Sequence, residues 1–378
     1  MPPSAVLLTG GTGFVGAELL ARYLERTDRR IYAIVRAEDE RAAQKRLREK
    51  LAALLDPEPH LDRLEAIPGD VEWPGLGLSD EDRERLRGEV GEIVHAAASV
   101  SFELPLDASR RINVEGTRHV LDFARDCEGL ERFAYVSTAY VAGDHRGEFG
   151  EDDLQVDQGF RNPYERSKFE AEQLVRELGE RQPTQIFRPS IIVGEAESGW
   201  TDSFNVLYSP IRAYARGHLP VLPANQKAPV DVVPVDYVAD AIFELARRPV
   251  DGIETYHLVA GSQATTVEEL VGLASLELRR PVPLILPPRL YRALLHRPLL
   301  LVGNRRRRRG LRRMEAFFPY LSMRVRFRNE RTRELLEPEG IAVSPIRNYF
   351  GRLLDFAQRA GWGERRLARS DPKAPVPA

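Results

Sequence analysis

The sequence predicts an α/β fold in which a doubly wound parallel sheet carries a smaller, mostly C-terminal lobe. Short apolar runs alternate with helix-like segments through the first half of the chain, and a glycine-rich loop directly follows the first run. Strand and helix in alternation favour a parallel sheet with helices on both faces. A chain of 378 residues is long enough for one such unit with an appended lobe.

The predicted elements follow one another in a regular order. The predicted strands are short runs of β-branched and other apolar residues, at 5–9, 30–35, 64–68, 92–96, 132–137 and 185–188. The predicted helices show a helical spacing of apolar residues, at 13–26, 38–55, 79–87, 106–127, 163–180 and, beyond several prolines, 235–248. Right-handed crossovers between the strands place these helices on both faces of the sheet.

The regular alternation loosens after residue 190, where prolines interrupt short apolar pieces. We predict a core at residues 1–190, to which residues 229–260 return. A lobe that covers the substrate is predicted from the two segments 191–228 and 261–365. The last residues, 366–378, are polar and rich in proline, which predicts a disordered tail.

The composition argues against several classes of protein. A formal net charge of -2 lacks the basic footprint of a nucleic-acid-binding protein, so we expect no nucleic-acid partner. The single cysteine, Cys127, excludes an internal disulfide and is interpreted as a buried structural residue. We see no basic, apolar leader and no apolar run of about 18 residues, which predicts a cytoplasmic protein without a spanning helix. We find no pattern of metal ligands and expect no metal.

A glycine-rich loop joins the first predicted strand to the first predicted helix. Residues 9–16, TGGTGFVG, contain both a G-x-x-G-x-x-G and a G-x-G-x-x-G spacing. These glycines permit a tight turn and close approach of a pyrophosphate, whose charge the amides at the helix N-terminus attract. A glycine trio alone can be only a turn, but this strand–loop–helix context favours dinucleotide binding in a Rossmann fold. The cofactor-binding residues predicted here are Gly10, Thr12, Gly13, Phe14, Val15 and Gly16.

The end of the second predicted strand indicates which nicotinamide cofactor is used. NAD-binding units usually place an acidic residue there, whereas this chain has Arg36. A guanidinium suits a 2′-phosphate, so we predict NADPH. Two alternatives stay open: Arg36 is a solvated residue at a strand end, or Glu38 or Asp39 binds a ribose hydroxyl. Asp70, followed by Val71, is placed to accept from the adenine amine, although an ordinary turn aspartate explains it nearly as well.

Tyr164 and Lys168 are the leading catalytic candidates, because residues four apart share one face of a helix. An ammonium beside a phenol favours the phenolate, so we expect Lys168 to lower the pKa of Tyr164 toward neutrality. Such a tyrosine exchanges a proton with a substrate oxygen. Thr138 ends the fifth strand at the ligand-binding edge of the sheet and can donate a hydrogen bond to a carbonyl. Asn113, a poor residue for a helix interior, suggests a hydrogen-bonding role, with capping or exposure as the alternative.

These residues together resemble an extended short-chain dehydrogenase/reductase over roughly residues 5–260. The resemblance implies that Tyr164 is the general acid/base and that Lys168 lowers its pKa. It also implies that Thr138 polarises the substrate oxygen. Lys168 is expected to hold the nicotinamide ribose as well. The further cofactor-binding residues that the resemblance implies are His95, Ala96, Ala97, Arg188, Pro189 and Ser190.

Finer features resemble the fatty acyl-CoA reductases and the thioester-reducing domains of carboxylic acid reductases. They are the sequences at 136–141, 188–194, 198–202 and 231–238. This resemblance implies NADPH-dependent reduction of an acyl thioester, carried by coenzyme A or an acyl carrier protein, to an aldehyde and, with a second NADPH, an alcohol. The alternatives within the fold are a nucleotide-sugar epimerase or dehydratase and a hydroxysteroid-type dehydrogenase. A non-catalytic NADP(H)-sensing protein is the alternative from another class.

A basic run in the C-terminal region is the remaining feature. Arg305 to Arg309 are consecutive arginines, followed by Arg312 and Arg313, and apolar pieces precede them. An amphipathic, basic segment can lie on an anionic membrane or meet the acidic surface of an acyl carrier. An apolar packing helix followed by solvated charges is the simpler interpretation. A peripheral membrane contact through residues 305–313 is therefore one of the interactions to be tested.

Overall fold

A computed structural model describes residues 4–179, 181–204, 206–296 and 318–370 of the protein. The strands are β1 Ala5–Thr9, β2 Ile31–Val35, β3 Leu64–Pro68, β4 Val90–His95, β5 Arg132–Val136, β6 Arg146–Phe149, β7 Thr184–Pro189, β8 Ile191–Val193, β9 Val221–Pro223, β10 Pro229–Val230, β11 Val232–Pro234, β12 Ile253–Leu258, β13 Thr265–Thr266, β14 Leu284–Leu286 and β15 Arg324–Phe327. The α-helices are α1 Phe14–Arg26, α2 Glu40–Leu51, α3 Asp80–Glu89, α4 Leu106–Arg110, α5 Gly116–Asp126, α6 Pro163–Gly179, α7 Tyr208–Ala215, α8 Val235–Ala246, α9 Val267–Leu278, α10 Pro288–Tyr291, α11 Glu330–Leu336 and α12 Phe350–Arg359.

The central sheet contains seven parallel strands in the spatial order β3–β2–β1–β4–β5–β7–β12. The strands after β1 are added on one side of it as far as β3, and those from β4 onward are added on the other side. Ligands of doubly wound sheets bind outside the carboxyl ends of the strands at the point where this order reverses, here between β1 and β4. Thr9, the last residue of β1, pairs with His95 at the end of β4, so both strands deliver their next loops to this edge. The predicted fold class is confirmed.

The two faces of the sheet are covered by different helices. Apolar side chains of α1, α2 and α8 pack with one face, and those of α3, α5 and α6 pack with the other. Five of these helices have a buried apolar stripe, as the helical spacing of the sequence predicted, whereas α3 buries only Leu86. The sheet edge that carries the loops is thus held between two packed layers.

Some predicted elements differ from the observed ones. The strand β12 was missed, although the segment 229–260 was expected to return to the core. The predicted helix at 106–127 is divided by a π-helical turn, Arg111–Glu115, into α4 and α5. Helix α2 begins at Glu40, later than predicted, because the Asp39 carboxylate accepts from the Ala42 amide at 2.7 Å and caps it.

A third apolar cluster lies outside the sheet layers and combines residues from two distant parts of the sequence. Helix α7 and strand β9 from the first part pack with α9 and α12 from the second. Strand β15 pairs with β6, which brings the preceding segment, including Tyr320, back to the sheet edge. Two separate segments therefore build the region that the sequence predicted as a lobe.

The residues near the end of the described chain pack against the core. Arg369, within the predicted disordered tail, forms ion pairs with Glu18 of α1 at 2.5 Å and with Glu195 at 2.6 Å. Residues 371–378 of that tail and the arginine run at 305–313 lie outside the described residues. In the part of the chain that is described, no helix is long and apolar enough to cross a membrane. The membrane contact and the cytoplasmic location stay predictions.

Candidate active site

The loop after β1 has a shape that requires glycine at two positions. Gly10 has a φ of 79°, and a Cβ there would lie 2.6 Å from the amide nitrogen of Ala97. A Cβ on Gly16 would lie 2.1 Å from the carbonyl oxygen of Gly10. The Gly13 amide donates to the same carbonyl at 2.8 Å and closes the turn. Backbone atoms therefore occupy the positions that the side chains of other residues would take at Gly10 and Gly16, and the loop forms a narrow cradle.

Helix α1 begins at Phe14 without a side-chain cap. Gly13 occupies the N-cap position, and the first turn holds no acidic residue. The first amides of a helix have no acceptor within the helix, so these amides remain donors and the helix dipole adds positive charge. This helix end therefore suits a pyrophosphate, which is the use that the sequence predicted.

Three of the four predicted catalytic side chains, Thr138, Tyr164 and Lys168, lie together at the carboxyl edge of the sheet. Thr138 lies two residues after the end of β5, and its hydroxyl forms a hydrogen bond with the phenol of Tyr164 in the first turn of α6. Lys168, one turn further along α6, is only 2% exposed. Its ammonium donates to the Tyr135 phenol at 2.7 Å and to the Val136 carbonyl at 2.9 Å.

Burial determines the protonation states of Tyr164 and Lys168. It raises the pKa of Tyr164 to about 12 and outweighs the opposite effect of the hydrogen bond with Thr138. Burial also lowers the pKa of Lys168 to about 7, against the attraction of the Glu172 carboxylate. The expectation that Lys168 lowers the pKa of Tyr164 toward neutrality is therefore wrong for this structure. Tyr164 is a neutral phenol at physiological pH and is suited to donate a proton.

Asn113 lies at the centre of the π-helical turn and is 1% exposed. Its Oδ1 accepts from the Ser99 amide at 2.8 Å, and its Nδ2 donates to the Ser99 carbonyl at 3.0 Å and to the Ser167 hydroxyl at 2.9 Å. The side chain thus ties the loop after β4 to α6. The hydrogen-bonding role is present, and it positions α6 from behind the site.

His95 contacts Thr9, the last residue of β1, from which the glycine-rich loop continues. It is 1% exposed, with Nδ1 2.7 Å from the Thr9 hydroxyl and Nε2 3.0 Å from the Thr117 hydroxyl. Burial, and secondly the charge of Lys168, lower its pKa to about 3, so the ring is neutral. His95 therefore links the ends of β1 and β4 to α5 and does not line the cavity at this edge of the sheet.

Arg188 likewise lies inside the protein. It is fully buried and forms an ion pair with Glu172 of α6 at 2.6 Å, while its guanidinium lies 3.1 Å from Nε2 of His257. Glu172 also accepts from the Ser137 hydroxyl at 2.6 Å. This ion pair fixes α6 against β7, and with it the position of Tyr164 and Lys168.

The residues predicted to meet the adenosine half of the cofactor lie beyond β2 and β3. Arg36 is exposed, and its guanidinium is 3.9 Å from the Glu72 carboxylate. The Arg46 guanidinium donates to the Arg36 carbonyl at 2.8 Å, so the charged end of Arg46 lies beside the backbone of Arg36. Asp70 stands in a turn and accepts from the Glu72 amide at 3.0 Å, and the neighbouring Val71 is buried.

A cavity of about 410 Å³ opens at the carboxyl edge of the sheet. It brings the N-terminal end of α1 and the catalytic side chains into one space. The predicted site residues in its lining are Gly13, Phe14, Val15, Gly16, Ala96, Thr138, Tyr164, Lys168, Pro189 and Ser190. The predicted site residues outside its lining are Gly10, Thr12, Arg36, Asp70, Val71, His95, Ala97, Asn113 and Arg188. Among the described residues, no group of three or more potential metal ligands is found.

Aromatic side chains that sequence reasoning missed form the wall next to Tyr164. The rings of Phe102 and Tyr320 stack with centroids 5.2 Å apart, and Tyr140 meets Tyr320 edge-on at 5.3 Å. Phe102 also lies 5.7 Å from the ring of Tyr164. These residues come from three distant segments, so no local spacing could reveal them. Tyr140 alone stood within a motif that was singled out, at 136–141.

A second missed feature closes the cavity near α1. Lys50 of α2 forms an ion pair with Asp202, and both residues line the cavity. Burial lowers the pKa of Lys50 to about 8. The sequence held no signal for this pair, because 152 residues separate the two partners.

Comparison with known families identifies the chain. Residues 8–242 match the model of the Male sterility protein family, which is more than half of the chain. The chain belongs to the Male sterility protein family. The predicted resemblance to reductases is also confirmed, because the similar proteins include a fatty acyl-CoA reductase and the reductase domain of a nonribosomal peptide synthetase.

This member of the Male sterility protein family is similar to two kinds of curated protein. Fatty acyl-CoA reductase 1 of Mus musculus is 32% identical over 298 residues, which cover 68% of this chain and 58% of the mouse protein. The non-canonical nonribosomal peptide synthetase FrzA of Cladobotryum sp is 33% identical over 277 residues, which cover 70% of this chain and 27% of the synthetase. The chain thus spans only part of the length of these relatives.

Solved structures extend the likeness of this Male sterility family member to the whole fold. The terminal R domain from the myxalamid PKS-NRPS biosynthetic pathway is 29% identical, with a TM-score of 0.83 over 96% of this chain and 92% of that domain. The reductase (R) domain of a nonribosomal peptide synthetase from Mycobacterium tuberculosis is 25% identical, with a TM-score of 0.72 over 95% of this chain and 92% of that one.

Proposed function

We propose that this protein reduces an acyl thioester to an aldehyde with a nicotinamide cofactor, and that NADPH is the preferred form. The observation that carries the proposal is one cavity that joins the uncapped end of α1 to the neutral phenol of Tyr164 and the hydroxyl of Thr138. The names of its relatives, fatty acyl-CoA reductases and reductase domains, support a thioester as the substrate class. The thioester is carried by coenzyme A or by an acyl carrier protein.

The residues present fit a dinucleotide. The cradle at Gly10 and Gly16 has no room for a Cβ, and the amides at the start of α1, which no side chain caps, can donate to an anion. Residues 10–16 would hold the pyrophosphate, and Lys168 would hold the nicotinamide ribose. When bound, the cofactor supplies a hydride from C4 of its nicotinamide.

Three contacts support NADPH over NADH. Arg36 and Arg46 present two guanidinium groups at the end of β2, where a 2′-phosphate would lie. Asp39, an alternative ligand for the ribose hydroxyls, is already used as the cap of α2. Glu72 lies 3.9 Å from Arg36, close enough to hold the guanidinium at this edge. These contacts favour binding of a phosphate dianion.

Thr138 and Tyr164 are placed to stabilise the carbonyl oxygen of the thioester. As a hydride adds to the carbonyl carbon, the π bond breaks and negative charge develops on the oxygen. Tyr164, which is neutral because burial raises its pKa, gives that oxygen its proton. The hemithioacetal then collapses: the C–S bond breaks, the hydroxyl proton is lost, and the sulfur leaves as a thiol after taking up a proton.

The reaction requires no acyl-enzyme. Cys127 is 5% exposed within the cluster under α5, and burial raises the pKa of its thiol to about 12. A thiol in that state is a poor nucleophile. The same Tyr164 and Thr138 suit an aldehyde, so an alcohol is the expected product when the aldehyde stays bound for a second reduction.

The cavity lining supports an acyl chain over a nucleotide sugar. The basic residues that the lobe offers to a nucleotide, Arg212, Arg216 and Lys227, lie outside the lining, and both arginines pair with Glu364. The wall next to Tyr164 is instead formed by the aromatic rings of Phe102 and Tyr320. Such a wall favours hydrocarbon, because each buried methylene contributes roughly 0.8 kcal/mol.

The test is a screen of NADPH oxidation over acyl-CoA thioesters of increasing chain length, with acyl-pantetheine carriers in parallel and mass spectrometry of the products. Catalytic efficiency should rise with chain length until the cavity is full. Thr138→Val keeps the side-chain volume and should lose most of the rate, whereas the control Cys127→Ser should keep it. If no thioester or aldehyde supports oxidation while a nucleotide sugar or sterol turns over, the proposal is wrong.

A further inference from the structure

Lys168 heads a buried chain of hydrogen bonds that the proposed mechanism leaves unused. Its ammonium donates to the phenol oxygen of Tyr135 at 2.7 Å, and Tyr135 is fully buried in β5. The Tyr135 phenol is hydrogen-bonded to the hydroxyl of Thr117, which is 1% exposed. The Thr117 hydroxyl donates in turn to the carbonyl oxygen of Asn113 at 2.7 Å. The chain therefore links the catalytic lysine to the π-helical turn.

The direction of donation along this chain is determined by its two ends. An ammonium can only donate, so the Tyr135 oxygen accepts from Lys168. Thr117 has one hydroxyl proton, and it goes to the Asn113 carbonyl. The proton of the Tyr135 phenol must therefore point to the Thr117 oxygen. Tyr135 is thus held with its lone pairs toward the ammonium.

The far end of the chain is rigid. The Asn113 side chain bonds to Ser99 and to Ser167, so the π-helical turn is fixed on both sides. Since the Thr117 proton is committed, Nε2 of His95 is the donor in its 3.0 Å contact with Thr117. Two neighbouring strands and a helix turn therefore hold the acceptor of the Tyr135 proton in place.

We propose that Tyr135 is a positioning residue that keeps the Lys168 ammonium charged and directs it toward the nicotinamide ribose, with Thr117 fixing the orientation of the phenol. An ammonium has three protons. Two go to Tyr135 and to the Val136 carbonyl, which leaves one for a ribose hydroxyl. The inference rests on the proposed function in one respect, namely that Lys168 serves the cofactor.

The groups that face Lys168 make this acceptor important. From α6, Glu172 stabilises the ammonium and Tyr164 is neutral. His95 of β4 is neutral, and burial keeps Tyr135 of β5 neutral by raising its pKa. Burial of Lys168 has already lowered its pKa to about 7. Loss of one acceptor therefore changes the charge of this lysine within the physiological range of pH.

The experiment follows the titration of Lys168 in the full-length protein before cofactor is added. NMR of ¹³Cε-labelled lysine gives the midpoint, and Lys168→Ala identifies the signal. Tyr135→Phe should lower the midpoint by about one pH unit, because a hydrogen bond to a charged group is worth about that much. Thr117→Val should shift it less, in the same direction. Tyr256→Phe, which removes a phenol bonded to Glu254 elsewhere in the sheet, should leave it unchanged.

A second readout is the dissociation constant of NADPH, measured by fluorescence as a function of pH. In Tyr135→Phe it should rise about tenfold above the new midpoint and recover toward the normal value at lower pH, since one pH unit corresponds to a tenfold change. A loss of affinity that is independent of pH would indicate only structural damage and would overturn the inference. An unchanged midpoint with unchanged affinity would also overturn it. If Tyr135→Phe does not fold, Thr117→Val decides by the same two criteria.

The outcomes separate this inference from the proposed function. If the unaltered protein reduces no thioester but the lysine midpoint and the NADPH affinity move as expected, the proposed function fails and the role of Tyr135 stands. If thioesters are reduced but Tyr135→Phe moves neither quantity, the role of Tyr135 is wrong and the proposed function stands.

Discussion

The ammonium of Lys168 lies 2.7 Å from the phenol oxygen of Tyr135 and donates to it. Tyr164, one turn before Lys168, is hydrogen-bonded to Thr138. The two tyrosines thus have different tasks at one site, since Tyr135 holds the lysine and Tyr164 faces the cavity as a proton donor. Burial raises the pKa of both phenols, so both are neutral near pH 7.

Replacement of Tyr164 tests its assignment as the proton donor. Tyr164→Phe keeps the ring and removes the acidic proton, so we expect turnover to fall at least about a hundredfold while NADPH binding stays nearly normal. Steady-state kinetics and fluorescence titration measure the two effects. Lys168→Ala is the informative partner variant, because it should lose turnover and cofactor affinity together. Near-normal turnover in Tyr164→Phe would remove this residue from the mechanism.

Arg36 tests the preference for NADPH. In Arg36→Asp a carboxylate replaces the guanidinium, so the 2′-phosphate is repelled and a ribose hydroxyl gains an acceptor. We expect the ratio of catalytic efficiencies, NADPH over NADH, to fall at least about tenfold, since hydrogen bonds to charged groups are worth about 1.5–3 kcal/mol. Arg48→Asp, at an exposed position of α2, is the control. An unchanged ratio in Arg36→Asp means that the residue does not touch the phosphate.

Tyr320 links the C-terminal region to the start of the catalytic helix. Its hydroxyl donates to the buried Glu165 carboxylate at 2.7 Å and accepts from Asn162 at 2.6 Å. Tyr320→Phe should lower the free energy of unfolding by about 1–3 kcal/mol, because a buried acceptor loses its partner. Equal denaturation midpoints for Tyr320→Phe and the unaltered protein would contradict the link.

Phe102→Leu should instead raise the KM for long acyl thioesters, since it alters the cavity wall.

Two buried histidines should lower the free energy of unfolding in mild acid. Burial lowers the pKa of both His95 and His257 to about 3, whereas an unfolded histidine has a pKa near about 6.5. Above about pH 6.5 neither state is protonated, and below it the unfolded chain binds the proton first. The free energy of unfolding should therefore fall between about pH 6.5 and 3. Urea denaturation at several pH values measures this slope, which His95→Gln should reduce and the exposed His218→Gln should not.

Local patterns were sufficient for much of the core. The glycine loop, the strand ends and the Tyr164–Lys168 spacing depend on neighbouring residues, so the sequence placed the cofactor cradle and the catalytic side chains at one sheet edge. The same patterns could not show that burial governs the pKa of Tyr164. Desolvation depends on what packs above the phenol, and that packing comes from distant segments such as the one with Phe102.

The lobe was harder to predict for the same reason. Strand β15 pairs with β6 across 178 positions, from Arg146 to Arg324, and places Tyr320 over the site. Arg188 and His95 were assigned to the cofactor because they stand beside motif residues, yet both side chains point into the protein, where Arg188 pairs with Glu172. Proximity in sequence indicated the right strand ends but not which face of the strand each side chain occupies.

The central claim, direct hydride transfer to a thioester at the Tyr164 site, is tested most directly with NADPH deuterated at C4. The protein is incubated with a long-chain acyl-CoA and each of the two stereospecifically labelled cofactors, and the aldehyde and the free thiol are quantified by mass spectrometry. We predict one deuterium on the aldehyde carbon from one of the two cofactors and one thiol for each aldehyde formed, both lost in Tyr164→Phe. Thiol release without cofactor oxidation, or an aldehyde that lacks deuterium with both cofactors, would contradict the account.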